Sequence, residues 1–172
     1  ITELSRDATT MYRRLVRVAG RAATVRFRSA DHTRSLLASS DILVDALLGT
    51  GLSSEVTGSY REAIELINGA GKPIIAIDLP SGLHADSGAI LGQAIRATLT
   101  ITLGLPKLGL YVGAGIDQAG AIRIVDIGIP SAFVDDIKSR TLLLTSDSSF
   151  KTLPVRRLSA HKGTFGHAGI IA

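Results

Sequence analysis

The chain contains no cysteine and no tryptophan, and only 4% of its 172 residues are aromatic. Without cysteine there is no disulfide scaffold, no thiolate zinc site and no cysteine nucleophile, and a cytoplasmic location is the expectation. Long apolar runs are missing too. The longest stretches without Asp, Glu, Lys or Arg, Ala97 to Pro106 and Gly163 to Ala172, reach ten residues, about half of what a membrane-spanning helix needs. Neither a membrane span nor a leader peptide is therefore expected. Ile1 in place of Met, and the apolar run Ala168-Gly169-Ile170-Ile171-Ala172 ending without partners, read as a truncated frame.

What is present is enough to bury a core: 45% of residues are apolar and 20% charged, in a length suited to about one domain. The charge is uneven. Residues 1–34 carry eight Arg against three acids, residues 35–150 seven bases against twelve acids, and residues 151–172 four bases. An arginine-rich end can mark a nucleic-acid surface. Only Tyr12 and Phe27 lie among these arginines, however, so the stacking platform of a single-strand binder is absent and a solvated face is the reading.

Apolar periodicity alternates between helix and strand. Met11, Leu15 and Val18 recur at helical spacing between Asp7, the expected cap, and Gly20, the expected stop. Ala23, Val25 and Phe27 alternate with polar residues as a strand does. A short helix near Thr33 to Ser39, a strand Ile42 to Val44, a glycine-rich loop and a helix from about Tyr60 to Ala70 follow. Ile74 to Ile77, Leu99 to Leu103, Ile122 to Val125 and Leu142 to Leu144 read as further strands. Apolar strands separated by helices predict an α/β fold with a largely parallel sheet buried on both faces. Thr152 to Ser159, with Pro154, reads as a linker, dividing the chain into 1–151 and a second unit opening at 152–172.

The chemistry sits where strands end. Val44-Asp45 and Ile77-Asp78 each close an apolar strand, which brings two carboxylates to the edge where open α/β sheets hold ligands. Each Asp alone is as well explained as a turn cap; the two together favour a site. After Asp45 come Gly49, Thr50, Gly51, Leu52, Ser53, Ser54 and Glu55, a loop whose small residues let backbone N–H groups approach an anion. The loop has neither the third glycine of a dinucleotide fingerprint nor the Gly-Lys-Ser/Thr of a P-loop. Asp45 and Ser81 offer hard oxygen ligands suited to an alkali or alkaline-earth cation rather than a thiophilic metal, and the few formal charges point to a monovalent one. A Ser81–His84 triad is disfavoured because no Gly-x-Ser-x-Gly elbow surrounds Ser81, and His84 reads as a loop residue. Lys107 can reach the same edge, although a solvated lysine is the ordinary reading.

Val44-Asp45-Ala46-Leu47-Leu48-Gly49-Thr50-Gly51-Leu52, Ala76-Ile77-Asp78-Leu79-Pro80-Ser81-Gly82-Leu83, Leu105-Pro106-Lys107-Leu108-Gly109 and Asp126-Ile127-Gly128-Ile129-Pro130 together resemble the YjeF N-terminal domain, the NAD(P)H-hydrate epimerase. The resemblance spans roughly residues 7 to 130. Ala160 to His167 is similar to the opening of the ribokinase-like, ADP-dependent NAD(P)H-hydrate dehydratase that follows this domain in bifunctional repair enzymes. The resemblance implies a three-layer αβα Rossmann-like sandwich, truncated at its N-terminus, that epimerises hydrated NADH or NADPH and binds a potassium ion. It makes Asp45 and Ser81 potassium ligands, and Gly49 to Glu55, Tyr60 and Asp78 substrate contacts. Asp78 becomes the proton-transfer group and Lys107 its catalytic companion.

ADP or ATP belongs only to the dehydratase part. Ser54 stands where the family often has Arg, and the family's Gly-Asn-Asn-Gly-Gly-Asp-Gly loop is expected upstream of Ile1. Further copies of the chain, as a homo-oligomer, are the expected macromolecular partner, with no nucleic acid and no membrane. A non-catalytic YjeF-like scaffold, as in RNA-decapping assemblies, is the alternative, which intact Asp45, Asp78 and Ser81 disfavour.

Overall fold

The computed structural model describes residues 5–20, 30–137, 139, 141–146, 148 and 158–165. Helix α1, Arg6–Ala19, starts at Ser5, whose side chain accepts a hydrogen bond from the Ala8 N–H, and stops at Gly20 in a positive-φ conformation. The cap is thus Ser5 and not Asp7, because the serine hydroxyl reaches an open N–H of the first turn while Asp7 lies within that turn. Helix α2, Ala30–Ala38, precedes strand β1, Leu43–Asp45. Helix α3, Gly58–Gly69, links β1 to β2, Ile74–Ile77. A long loop leads to β3, Leu99–Leu103, and a 3-10 turn, Leu108–Leu110, with the short helix α4, Gly115–Gln118, leads to β4, Ala121–Val125.

All four strands are parallel, in the order β1-β2-β3-β4. The parallel α/β class expected from the periodicity is the class observed, and it is consistent with the Rossmann-like fold that the resemblance implies. Since each strand is added beside its predecessor in one direction, right-handed crossovers put every connection on the same face of the sheet. The packing agrees. Leu43 and Ile74 on that face form a buried cluster with Ile64 of α3, Val56 and Ile95. Ile122 of β4 packs on a second cluster made by Leu79, Leu83, Leu110 and Ala119.

The opposite face behaves differently. Val44 is 64% exposed and Val125 42%. Ile75, Ile77, Leu99, Ile101 and Leu103 are half-buried. Among the described residues the expected burial of the strands on both faces is therefore met on one, and α1 contributes no buried residue. Among the described residues no helix is long and apolar enough to cross a membrane.

The described residues form two units divided after Gly128; the second contains helix α5, Ser131–Asp135, and a 3-10 turn, Lys162–Phe165. The strand read at Leu142 to Leu144 is not there. Residues 141–145 have no regular structure and Leu142 and Leu144 are exposed, since a strand needs a neighbour to satisfy its backbone groups and none of the described residues provides one. The strand read at Ala23 to Phe27, most of the Thr152 to Ser159 linker and the terminal apolar run lie outside the described residues.

Candidate active site at the carboxyl edge of the sheet

Asp45 is the last residue of β1 and lies on the covered face, 1% exposed. Ser81 is equally buried, in the turn that follows β2. The two are joined twice: the Ser81 hydroxyl donates to Asp45 Oδ1 at 2.6 Å, and the Ser81 backbone N–H donates to Asp45 Oδ2 at 2.8 Å. The serine oxygen also accepts from the Leu48 N–H at 2.9 Å and lies 3.3 Å from the Leu48 carbonyl oxygen. One serine thereby ties the start of the Gly49–Glu55 loop to the turn after β2. Burial pushes the Asp45 carboxyl up from its ordinary value, opposed by the hydrogen bonds from Ser81 and the Leu47 N–H.

Among the described residues no cationic side chain pairs with Asp45. No cluster of three or more His, Cys, Asp or Glu occurs among them either. A single buried carboxylate beside a hydroxyl and a carbonyl oxygen is a hard, weakly charged donor set, which fits potassium better than a multivalent ion.

Asp78 follows the last residue of β2 with φ of 72°, the one non-glycine residue in the left-handed region among those described. Such a conformation is uncommon away from Gly, Asn and Asp and collects at functional sites. Its side chain replaces a rung of the sheet. Oδ1 accepts from the Leu103 N–H at 3.1 Å and from Lys107 Nζ at 2.5 Å, while Nζ also donates to the Leu103 carbonyl at 2.7 Å. Lys107 is about one-fifth exposed, so the ordinary expectation of a solvated lysine is replaced by an ion pair. The tertiary reason is that the loop after β3 folds back over the edge where β2 ends.

The loop Gly49, Thr50, Gly51, Leu52, Ser53, Ser54 and Glu55 leaves the same edge and is exposed except for the half-buried Leu52, which packs on the core. Open space surrounds Gly49 and Gly51, and neither has a positive φ. Neither backbone conformation nor packing among the described residues requires glycine at these two positions. Tyr60, in the first turn of α3, is 42% exposed. His84 is a loop residue as expected: its Nδ1 accepts from the Asp86 and Ser87 N–H groups.

The two aspartates share the carboxyl edge but no partner. Asp45 belongs to Ser81, Asp78 to Lys107. A cleft of about 520 Å³ lies elsewhere, between α2 and α3, lined by Arg34, Leu37, Glu62, Glu65, Leu66 and neighbours. Three contributions had no sequence signal: the backbone of Leu48, the backbone of Leu103, and Asn68. The Asn68 side chain donates to the Ala94 carbonyl and accepts from the Arg96 N–H, fastening α3 to the loop before β3.

Residues 2–109 match the family described as YjeF-related protein N-terminus. The chain is 40% identical over 161 residues to the bifunctional NAD(P)H-hydrate repair enzyme Nnr of Thermofilum pendens, covering 94% of this chain and 30% of that protein. It is 43% identical over 126 residues to the protein of the same name from Moorella thermoacetica, covering 73% and 24%. With the NAD(P)H-hydrate epimerase of Weissella koreensis it shares 48% identity over 90 residues, covering 52% and 41%. The chain thus spans less than half the length of these relatives. With a family match over more than half of its residues, this chain belongs to the YjeF-related N-terminal family.

Proposed function

We propose that this domain is an NAD(P)H-hydrate epimerase, interconverting the R and S forms of hydrated NADH or NADPH. The observation that carries the reading is the Asp78–Lys107 pair, in which a left-handed Asp78 at the end of β2 is held by the Leu103 amide, at the sheet edge from which the Gly49–Glu55 loop also leaves. Hydration leaves a hydroxyl on the nicotinamide ring carbon next to the ring nitrogen. Protonation of that hydroxyl lets the carbon–oxygen bond break, with the nitrogen lone pair supplying the electrons and water leaving. Water then adds to the other face of the cationic ring and gives its proton back, so the carbon is inverted and no net proton is consumed. Asp78 gives and recovers that proton and, as a carboxylate, stabilises the cation. Lys107 orients the substrate from the other side of the pair. The glycine loop and Tyr60 contact the dinucleotide.

Asp45, Ser81 and the Leu48 carbonyl would hold potassium, which supplies fixed positive charge that pins the loop to the turn after β2. The residues from 152 onward open the ADP-dependent dehydratase part in this reading. Purified R hydrate offered to the full-length protein is the test: conversion to the S form by wild type, lost in Asp78→Asn, supports it. Equal rates in the two proteins would remove Asp78 from the reaction.

A further inference from the structure

Resting on the epimerase reading, we infer that Thr102 is a positioning residue for Asp78, one whose hydroxyl engages the carboxyl group only during the reaction. Thr102 is fully buried on the covered face of β3, and its Oγ1 has no hydrogen-bond partner among the described residues. A buried hydroxyl left unpaired is costly, and native structures keep few of them. The neighbouring Thr100, equally buried, shows the ordinary solution, donating to the Ala119 carbonyl at 2.7 Å. Valine would fill the place of Thr102 without the penalty, so packing gives no reason for a hydroxyl there.

The register supplies a reason. Ile77 is the last residue of β2 and pairs with Ile101, so Asp78, which leaves the strand there with a positive φ, and Thr102 each follow directly after one member of that pair. Thr102 also directly precedes Leu103, whose N–H and carbonyl hold Asp78 and Lys107. Asp78 Oδ1 has two donors, while Oδ2 has none among the described residues. A proton-transfer carboxyl must be stable in two states, and a rotatable hydroxyl serves both: it donates to the carboxylate and accepts from the acid. An ammonium group can only donate. When substrate draws Lys107 away from Asp78, a small rotation of the carboxyl brings Oδ2 to Thr102, which then keeps the group aimed in either protonation state.

The test compares Thr102→Val and Thr102→Ser in the full-length protein, measuring the thermal midpoint together with kcat and KM for the purified hydrate. The valine variant is expected to melt at or above the wild-type temperature, because it loses no bond in the resting protein. Its kcat is expected to fall about tenfold with KM within about twofold, the pattern of an interaction made only in the transition state. Serine restores the hydroxyl and is expected to restore kcat. An unchanged kcat in Thr102→Val overturns the assignment, as does a lowered melting point in that variant, which would mean the hydroxyl already has a resting partner. Wild type that fails to epimerise brings down the functional reading itself and this assignment with it, whereas loss of only the variant prediction leaves that reading standing.

Discussion

Ser81 closes on Asp45 with both its hydroxyl and its backbone N–H, at 2.6 and 2.8 Å, across 36 residues of sequence. No water competes for either bond, since both residues are 1% exposed. The carboxylate is thus held in place yet carries a charge that no side chain of the described residues offsets.

That imbalance sets a pH dependence. Burial raises the Asp45 carboxyl above its ordinary 3.8. The folded chain holds this proton more tightly than the unfolded chain, so the group's contribution to stability is complete below about 3.8 and is lost as pH rises through the folded value. In potassium-free buffer, urea unfolding at a series of pH values should show wild type losing ground to Asp45→Asn across that range. Adding potassium should lessen the loss in wild type alone. A stability difference that stays flat with pH would refute this account of Asp45.

Asp78 and Lys107 predict a separation of fold from activity. Both are partly exposed, so their pairing contributes little to stability after solvent screening. Asp78→Asn and Lys107→Met should melt within a few degrees of wild type. Loss of a positioned proton-transfer group costs about 100-fold or more in rate, so Asp78→Asn should be the more damaging of the two in hydrate turnover. The scaffold alternative predicts no turnover in any of the three proteins.

The glycines divide into two kinds. A Cβ at Gly82, where φ is +94°, would meet the Gln93 carbonyl oxygen at 1.9 Å, and one at Gly109 would meet the His84 carbonyl oxygen at 2.2 Å. Backbone cannot retreat that far, so Gly82→Ala and Gly109→Ala should each cost at least about 3 kcal/mol or fail to fold. Gly51→Ala meets nothing within 4 Å and should leave the melting temperature unchanged while weakening hydrate binding. Parallel thermal melts and binding titrations would expose any reversal of that order.

Thr100 is the control for Thr102. Its buried bond to the Ala119 carbonyl ties β3 to the end of α4. Thr100→Val should therefore destabilise by about 1–3 kcal/mol, because the carbonyl is left buried without a donor. Differential scanning calorimetry of the two valine variants side by side would reveal it, and equal melting points would contradict the assigned bonding.

Much of this site is legible in the sequence. The alternation of apolar runs with helical spacing gave β2 and β3 to the residue, and the placement of Asp45 and Asp78 at strand ends followed from the same pattern. The ion pair of Lys107 could not be read that way, since a lysine four residues past a strand is as easily solvated. Nor could the strand expected at Leu142 to Leu144 be rejected, because periodicity reports which residues could be buried and is silent about whether a neighbour exists to bury them.

The sequence by itself determined the parallel α/β class, the bounds of β2 and β3 and the two acidic strand ends, because these depend on local spacing of apolar residues along the chain. Only the tertiary structure decided that Asp45 binds Ser81, that Asp78 binds Lys107, and that among the described residues one sheet face is covered, the other half-open, and Thr102 buried without a partner. Those outcomes turn on strand order, register and the direction of crossovers, which bring together groups 29 and 36 residues apart that no local pattern relates.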